Sequence, residues 1–281
     1  MTESTKPLST GQAGTILEGF YRKYHKPEYI NPDPLIFPRR YELPLDIEAA
    51  AFIASSFALG RVNQIISFLE SLFGRLGSPL DGLCRRSEKE IAGDFRDFKY
   101  RFYSPDDISR FLIGLRRIYI ENGSIENCFK TKAKAIRDLG QDYIIAGLSG
   151  IAEAINDGRD LTETGIGPGH RNVVPNPGGG SACKRMNLFL RWVVRKDCID
   201  PGMWELDPGL LLVPLDTHVM RVSSFLGLTE RKIADMKTVK QITSNLKLID
   251  KADPVKYDFS MSRIGIHPDL SYSELEKEIL L

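Results

Sequence analysis

Several things are scarce in this 281-residue chain, and each scarcity removes a class of protein. Net charge is one: 38 Lys and Arg stand against 37 Asp and Glu, leaving +1. Any nucleic-acid surface must therefore be a local patch, because the average supplies no field. Long apolar runs are missing too, since none approaches the roughly 20 residues that a membrane span needs. The opening MTESTKPLSTGQ lacks the apolar core of a secretory signal. The expectation is a cytoplasmic protein with no membrane association. Cysteine is sparse and scattered, as Cys84, Cys128, Cys183 and Cys198, with no two at a two- to four-residue spacing. The four histidines (His25, His170, His218, His267) are equally dispersed. This is a poor fit to zinc or iron–sulfur ligation, so we expect no metal, no cofactor, and free buried thiols. Sustained apolar–polar alternation, the mark of a half-buried strand, is absent, as is any repeat of fixed period.

What is present reads as helix. The chain is 42% hydrophobic and 27% charged, ordinary for a globular protein and long enough for a sizeable core. LDIEAAAFIASSFALG places Asp46 as an N-cap behind Pro44, with Gly60 as a stop. RVNQIISFLESLFGRLG follows, with Ile65, Phe68, Leu69, Leu72 and Phe73 at helical spacing. SPDDISRFLIGLRRIYIENG opens on Ser104, with Pro105 at the first helical position and Asp107 three residues after the cap, and ends at Gly123. QDYIIAGLSGIAEAIND, DTHVMRVSSFLG, TVKQITSNLKLI and DPVKYDFSMSRIG repeat the pattern, with Asp216, Thr238 and Asp253 at cap positions and Pro254 just inside its helix. The expected class is all-α.

Two stretches do not read as helix. Residues 1–13 look flexible, and residues 158–180 form a long loop rich in Gly and Pro. A loop of that length inside a compact domain is usually functional or disordered. It leads into NPGGGSACKRMNLFLRW, which puts a lysine near a helix start, where exposed N–H groups already carry partial positive charge. With Ser181 as N-cap, Ala182 is the first helical residue and Lys184 the third. Gly178, Gly179 and Gly180 let the backbone approach a bulky anion. A nucleotide-binding P-loop is excluded, because Cys183 and Arg185 flank the lysine and no strand precedes it. A lysine attacks carbon only when neutral. The helix start, Arg185 and partial desolvation all favour the neutral amine. Lys184, Asn187, Arg191 and Arg195 share one helical stripe, which reads either as a basic line on a largely buried helix or as a solvated face. Trp192 reads as core.

The second candidate lies in LLLVPLDTHVMRVSSFLGL. An apolar approach ends at Pro214 and Leu215, and Asp216 then caps a helix containing Val219, Val222 and Phe225. A capping aspartate can also present its carboxylate to a neighbouring cleft. His218, two residues further on, reads as a packed, hydrogen-bonded histidine.

PLDTHVMRVSSFLGL resembles the signature of the helix-hairpin-helix DNA glycosylases, in which an Asp-Thr-His-Val-type segment follows a hairpin carrying a catalytic lysine. Lys184 and Asp216 stand 32 residues apart, a separation similar to that of the archaeal 8-oxoguanine glycosylase branch. SACKRMNLFLRWVVRKDCIDPGMW is also similar to an uncharacterised bacterial family of hypothetical proteins, and the likeness spans roughly Leu17 to Ile266. NPGGGSACK keeps the glycines of the family hairpin in a different order. No iron–sulfur cysteine set follows the last helices, as in the cluster-free branches. The resemblance implies two all-α lobes with a DNA-facing cleft: residues 45–195 carrying the hairpin, and residues 14–44 plus 196–281 forming the second lobe.

It also implies a function, base excision on duplex DNA with a flipped damaged base, carried out by a monomer. Lys184 would be the Schiff-base nucleophile and Asp216 its proton acceptor and electrostatic partner, giving glycosylase and AP-lyase activity on an oxidised purine such as 8-oxoguanine. Phosphate contacts would come from the N–H groups of Gly179, Gly180 and Ser181, with Arg185 and Arg221 as charges. For a base pocket, which needs a stacking face and polar edges, the candidates are Arg61, Gln64, Tyr257 and Asp258. Two other readings stand beside this one: a non-catalytic DNA-binding protein of the same fold, and an all-α protein–protein scaffold.

Overall fold

In the computed structural model, which describes residues 8–136, 140–157, 161–166, 171–266 and 272, the protein is all-α. Twelve helices are described: α1 (Thr10–Tyr24), α2 (Pro44–Ser56), α3 (Val62–Leu76), α4 (Pro79–Cys84), α5 (Glu88–Asp94), α6 (Pro105–Asn122), α7 (Ile125–Ala133), α8 (Gln141–Ile155), α9 (Lys184–Val194), α10 (Thr217–Phe225), α11 (Met236–Ile249) and α12 (Asp258–Ile266). Among the described residues there is no strand, only two isolated bridges, Tyr100 to Tyr103 and Ser181 to Asp235. No described helix is long and apolar enough to cross a membrane.

The core is organised around α2. Ala49 to Ala54 are all fully buried, so this helix is apolar on every side, as a central helix must be. α9 packs along it, with Phe189 meeting Phe52 edge-on at 4.9 Å. α6, α7 and α8 pack against one another beside this pair, while α1 packs on α11 and α12, and α10 on α12. A single cluster of buried apolar residues runs through both sets of helices. The buried carboxylate of Glu48 on α2 fastens the arrangement. It accepts from the N–H groups of Ile125 and Glu126 at the start of α7, from Tyr119 Oη, and from Trp204 Nε1 at 2.7 Å. Burial pushes this carboxyl up, and its four donors oppose the rise.

α6 forms as its sequence dictates: Ser104 and Asp107 make a capping box, and Gly123 ends the helix at φ +76°. α10 is capped by Asp216, as expected. Other expected caps move. Leu43 precedes α2, and Asp46 instead accepts from Ser78 Oγ and Leu80 N, both at 3.0 Å, at the start of α4. Asp235, not Thr238, caps α11. α12 begins at Asp258, so Asp253 and Pro254 lie before it in a turn. At α11 a nearby aspartate takes the capping donor, and at α2 the expected cap is spent on the start of α4 instead. The stretch expected to be flexible, 1–13, divides. Residues 1–7 lie outside the described residues, whereas Ser9 caps α1 and Ala13 is buried. Within 158–180, short 3-10 turns form at Thr162–Thr164 and Pro177–Gly179. Cys128 and Cys183 are buried free thiols as expected, but Cys84 is only half-buried and Cys198 is exposed. Trp192 is fully buried.

Candidate active-site cleft

α9 starts differently from the capping pattern. Its N-cap is Cys183, held at φ +44°, and Lys184 is the first helical residue, not the third. Ser181 is spent elsewhere: it bridges to Asp235, and its hydroxyl accepts from Cys183 N at 3.3 Å. Gly180, at φ +82° where a side chain would be strained, closes the turn, and its carbonyl accepts from Met236 N at 2.9 Å. The loop before Lys184 is thus pinned to the start of α11. This geometry also uses the two glycine N–H groups proposed for phosphate. Gly179 N donates to Asn176 O, and Gly180 N donates to Pro177 O, so neither is left to face an anion.

Lys184 Nζ lies 3.7 Å from Asp216 Oδ2. The other carboxylate oxygen, Oδ1, accepts from His218 N and Val219 N at 2.9 Å each. Asp216 therefore caps α10 with one oxygen and meets the lysine with the other. Side-chain exposures of 29% for Lys184 and 19% for Asp216 leave both open to a cleft of about 910 Å³. That volume is in the range of ligand-binding clefts. Its walls come from residues 58–65, α9, the Pro214–Met220 segment, Lys232 and Ala234, and α12.

The cleft is lined by Arg61, Lys184, Arg191, Lys232 and Arg263 against Asp33, Asp216 and Asp258, five cations to three carboxylates. Three pairs are internal: Lys184 with Asp216, Arg191 with Asp258, and Arg263 with Asp33. Arg61 and Lys232 have no ion-pair partner among the described residues. The cleft is the local basic patch that a net charge of +1 requires of any anion-binding surface. Asp258 sits at its floor, and burial pushes its carboxyl up to about 6, with Asp216 adding to the rise and Arg191 and Lys184 opposing it.

Of the other proposed site residues, Arg61 and Asp258 line this cleft with Lys184 and Asp216, whereas Gln64 and Tyr257 do not. Gln64 lies on the outer face of α3, and buried Tyr257, just before α12, donates to Glu18 Oε2 of α1 at 3.2 Å. Arg185 donates to the Ser56 carbonyl, and Arg221 lies over the Tyr272 ring at 3.8 Å; neither lines the cleft. His218 does line it, and its Nδ1 pairs with Tyr272 Oη at 2.7 Å, the hydrogen-bonded histidine expected. His170 and His267 lie outside the described residues. Sequence reasoning missed Asp33, Lys232 and Arg263. None sits near a motif, and only the fold brings them to the cleft.

The stripe on α9 is not a solvated face. Arg191 and Arg195 are each 3% exposed. Arg191 binds Asp200 and Asp258, and Arg195 binds Asp197, Asp200 and Asp253. Burial alone would lower both guanidinium values, but the aspartates overcome it and raise them. Asp197 is held well below the carboxylate range despite burial, through hydrogen bonding to His25 and the charge of Arg195. His25, Asp197 and Cys198 also place potential metal-ligand atoms within 4.8 Å of one another. However, Asp197 Oδ2 is already shared between His25 at 2.9 Å and Arg195 at 2.8 Å.

The family described as "Protein of unknown function (DUF2400)" has a model that matches residues 33–267, and the chain belongs to that family. The matched span takes in every residue named above as lining the cleft, from Asp33 to Arg263. No curated protein and no solved structure matches the chain.

Proposed function

We propose that this protein is a monomeric base-excision DNA glycosylase with AP-lyase activity, built on a helix-hairpin-helix glycosylase-like pair of helical lobes. Its substrate is an oxidised purine such as 8-oxoguanine in duplex DNA. The observation that carries the reading is the meeting of Lys184 and Asp216 at 3.7 Å in a cleft with surplus positive charge. A duplex hides the sugar C1′ within its stack, so the damaged nucleotide is turned out into the cleft, where Arg61 and Lys232 neutralise its phosphates.

The chemistry uses few groups. A proton of the Lys184 ammonium passes to Asp216 Oδ2, and the freed lone pair attacks C1′. The C1′–base bond breaks, its electrons leave with the base, and the base takes up a proton from solvent. The amine gives a second proton to O4′ as the sugar ring opens to the C1′–nitrogen iminium. Loss of a C2′ proton to water then expels the 3′-phosphate with the electrons of the C3′–oxygen bond and breaks the strand. Water hydrolyses the imine to free Lys184. Once the lysine proton has passed on from Asp216 to solvent, the Asp216 carboxylate opposes the positive charge left on the C1′–nitrogen iminium.

The test is strand nicking of a labelled 8-oxoguanine duplex by the full-length protein. Wild type is expected to yield a β-elimination end, and Asp216→Asn to lose at least a hundredfold in rate, the order of a general acid–base contribution. Wild type that leaves both an 8-oxoguanine duplex and an abasic duplex intact would overturn the reading.

A further inference from the structure

The outer face of α3 carries a second concavity that the cleft chemistry does not use. It is an open groove of about 790 Å³ between α3 and residues 97–101, and Gln64 lies in it. One wall is neutral and hydrogen-bonding: Asn63, Gln64, Ser67 and Ser71 are all exposed along α3. The floor is aromatic, with Phe68 stacked on Tyr100 at 4.4 Å and Phe98 beside them. The far wall is basic. Its Asp97 is taken up by Arg75 of α3, whereas Lys99 and Arg101 are exposed and have no ion-pair partner among the described residues.

This groove adjoins the cleft. Tyr100 and Tyr103 close a tight turn through two backbone hydrogen bonds, leaving Arg101 and Phe102 at its tip. Tyr100 Oη donates to the Leu59 carbonyl at 2.7 Å, and Leu59 lines the cleft. The Arg101 guanidinium passes so close to Gly60 that a Cβ there would lie 2.6 Å from Nη1. Arg101 itself sits at φ +54°, a conformation that non-glycine residues hold at a cost and that recurs at ligand clamps. Phe102 remains 45% exposed, its ring flanked by Arg101 and Arg171. An exposed aromatic ring on a rigid turn, with cations beside it and amide and hydroxyl groups opposite, suits nucleotides whose base edges and faces are free. Paired duplex offers base edges only within its grooves and no free base face for Phe102 to stack on.

We propose that this groove is a second nucleic-acid site, which takes the single strand of DNA that runs on from the nucleotide held in the cleft. Lys99 and Arg101 contact its phosphates, Phe102 stacks on a base at the groove mouth, and Asn63, Gln64, Ser67 and Ser71 meet base edges. The proposal rests on the reading of the cleft as a DNA site.

The experiment measures anisotropy of a labelled single-stranded 12-mer against the full-length protein over a salt series. Borohydride trapping on a saturating blunt abasic duplex is run in parallel. Two double variants are compared with wild type: Lys99→Glu with Arg101→Glu, and the wall variant Ser67→Glu with Ser71→Glu. Both are expected to bind the single strand at least tenfold more weakly. In the first, the slope of log affinity on log salt should become shallower by about 1.4, from two lost phosphate contacts. Duplex trapping should stay within twofold in both. Single-strand binding unchanged in both variants, or absent from wild type, would overturn the groove. So would single-strand binding and duplex trapping that fall together. Wild type that forms no duplex adduct but binds the single strand through these residues would support the groove and overturn the cleft reading alone.

Discussion

The two ends of α9 carry the same kind of residue and use it in opposite ways. At the first position, Lys184 is part-exposed, opens onto the cleft, and meets one carboxylate oxygen at 3.7 Å. Two to three turns on, Arg191 and Arg195 are buried and bound by Asp197, Asp200, Asp253 and Asp258. A guanidinium without solvent has to be matched by carboxylates, and here the loop after α9 and the start of α12 deliver them. The near end is held in place because the far end is fixed. Arg191 ties α9 to Asp258 on α12, so both walls of the cleft are held by the same charge network. A basic stripe on a helical wheel does not state its function; burial divides it.

The comparison breaks most visibly at the far end. Arg195→Ala removes a guanidinium from Asp197, Asp200 and Asp253, leaving Asp200 only Arg191, and Asp197 only His25, as side-chain partner. It is expected to cost about 4 kcal/mol, read as a lowered urea midpoint. A loss below about 1 kcal/mol would mean that the network does not hold the fold. The next effect is on pH. Asp258 is fully buried with its carboxyl raised to about 6, so the folded state binds a proton that the unfolded chain releases near pH 4. Its contribution is therefore fully present below about pH 4 and is lost as pH rises through about 6, a swing of about 3 kcal/mol. Asp197, held low, works in the opposite sense. The measurement is the difference between wild type and Asp258→Asn in stability from pH 4 to 7. Wild type should lose stability relative to the variant as pH rises, and parallel curves would contradict the assignment.

The sequence made the pieces of this site legible where they were local and left them obscure where they were not. Asp216 as the cap of α10, Ser104 and Gly123 as the ends of α6, and Trp192 as core all follow from spacing and residue type. The start of α9 does not. Ser181 has the right chemistry for a cap, but its pairing with Asp235 comes from a chain segment more than fifty residues away. The same holds for Arg191 and Arg195, whose partners at 253 and 258 are invisible to a helical wheel, and for Lys232 and Arg263 in the cleft. Gln64 and Tyr257 lie outside this cleft for a simpler reason: Gln64 lines the outer groove of α3, and Tyr257, just before α12, lines the concavity against α1.

Smaller effects sharpen the near end. Asp216→Ala removes the cap and should cost about 1 kcal/mol, while Asp216→Asn, an equally good cap, should cost little. Both variants should lose strand nicking, because neither side chain takes up the lysine proton. An active Asp216→Asn would reduce Asp216 to a cap alone. Lys184→Ala should shift stability by less than about 0.5 kcal/mol, the ordinary range for a part-exposed site, in contrast to Arg195→Ala on the same helix.

The most direct test is borohydride trapping on duplexes carrying 8-oxoguanine, an abasic site or no damage, with wild type and Lys184→Ala side by side. The account predicts a covalent adduct on the damaged duplexes that Lys184→Ala does not form, although it still binds DNA. DNA binding without an adduct from wild type on any duplex would contradict the catalytic reading and leave a DNA-binding protein of this fold; absence of both would contradict the DNA reading altogether.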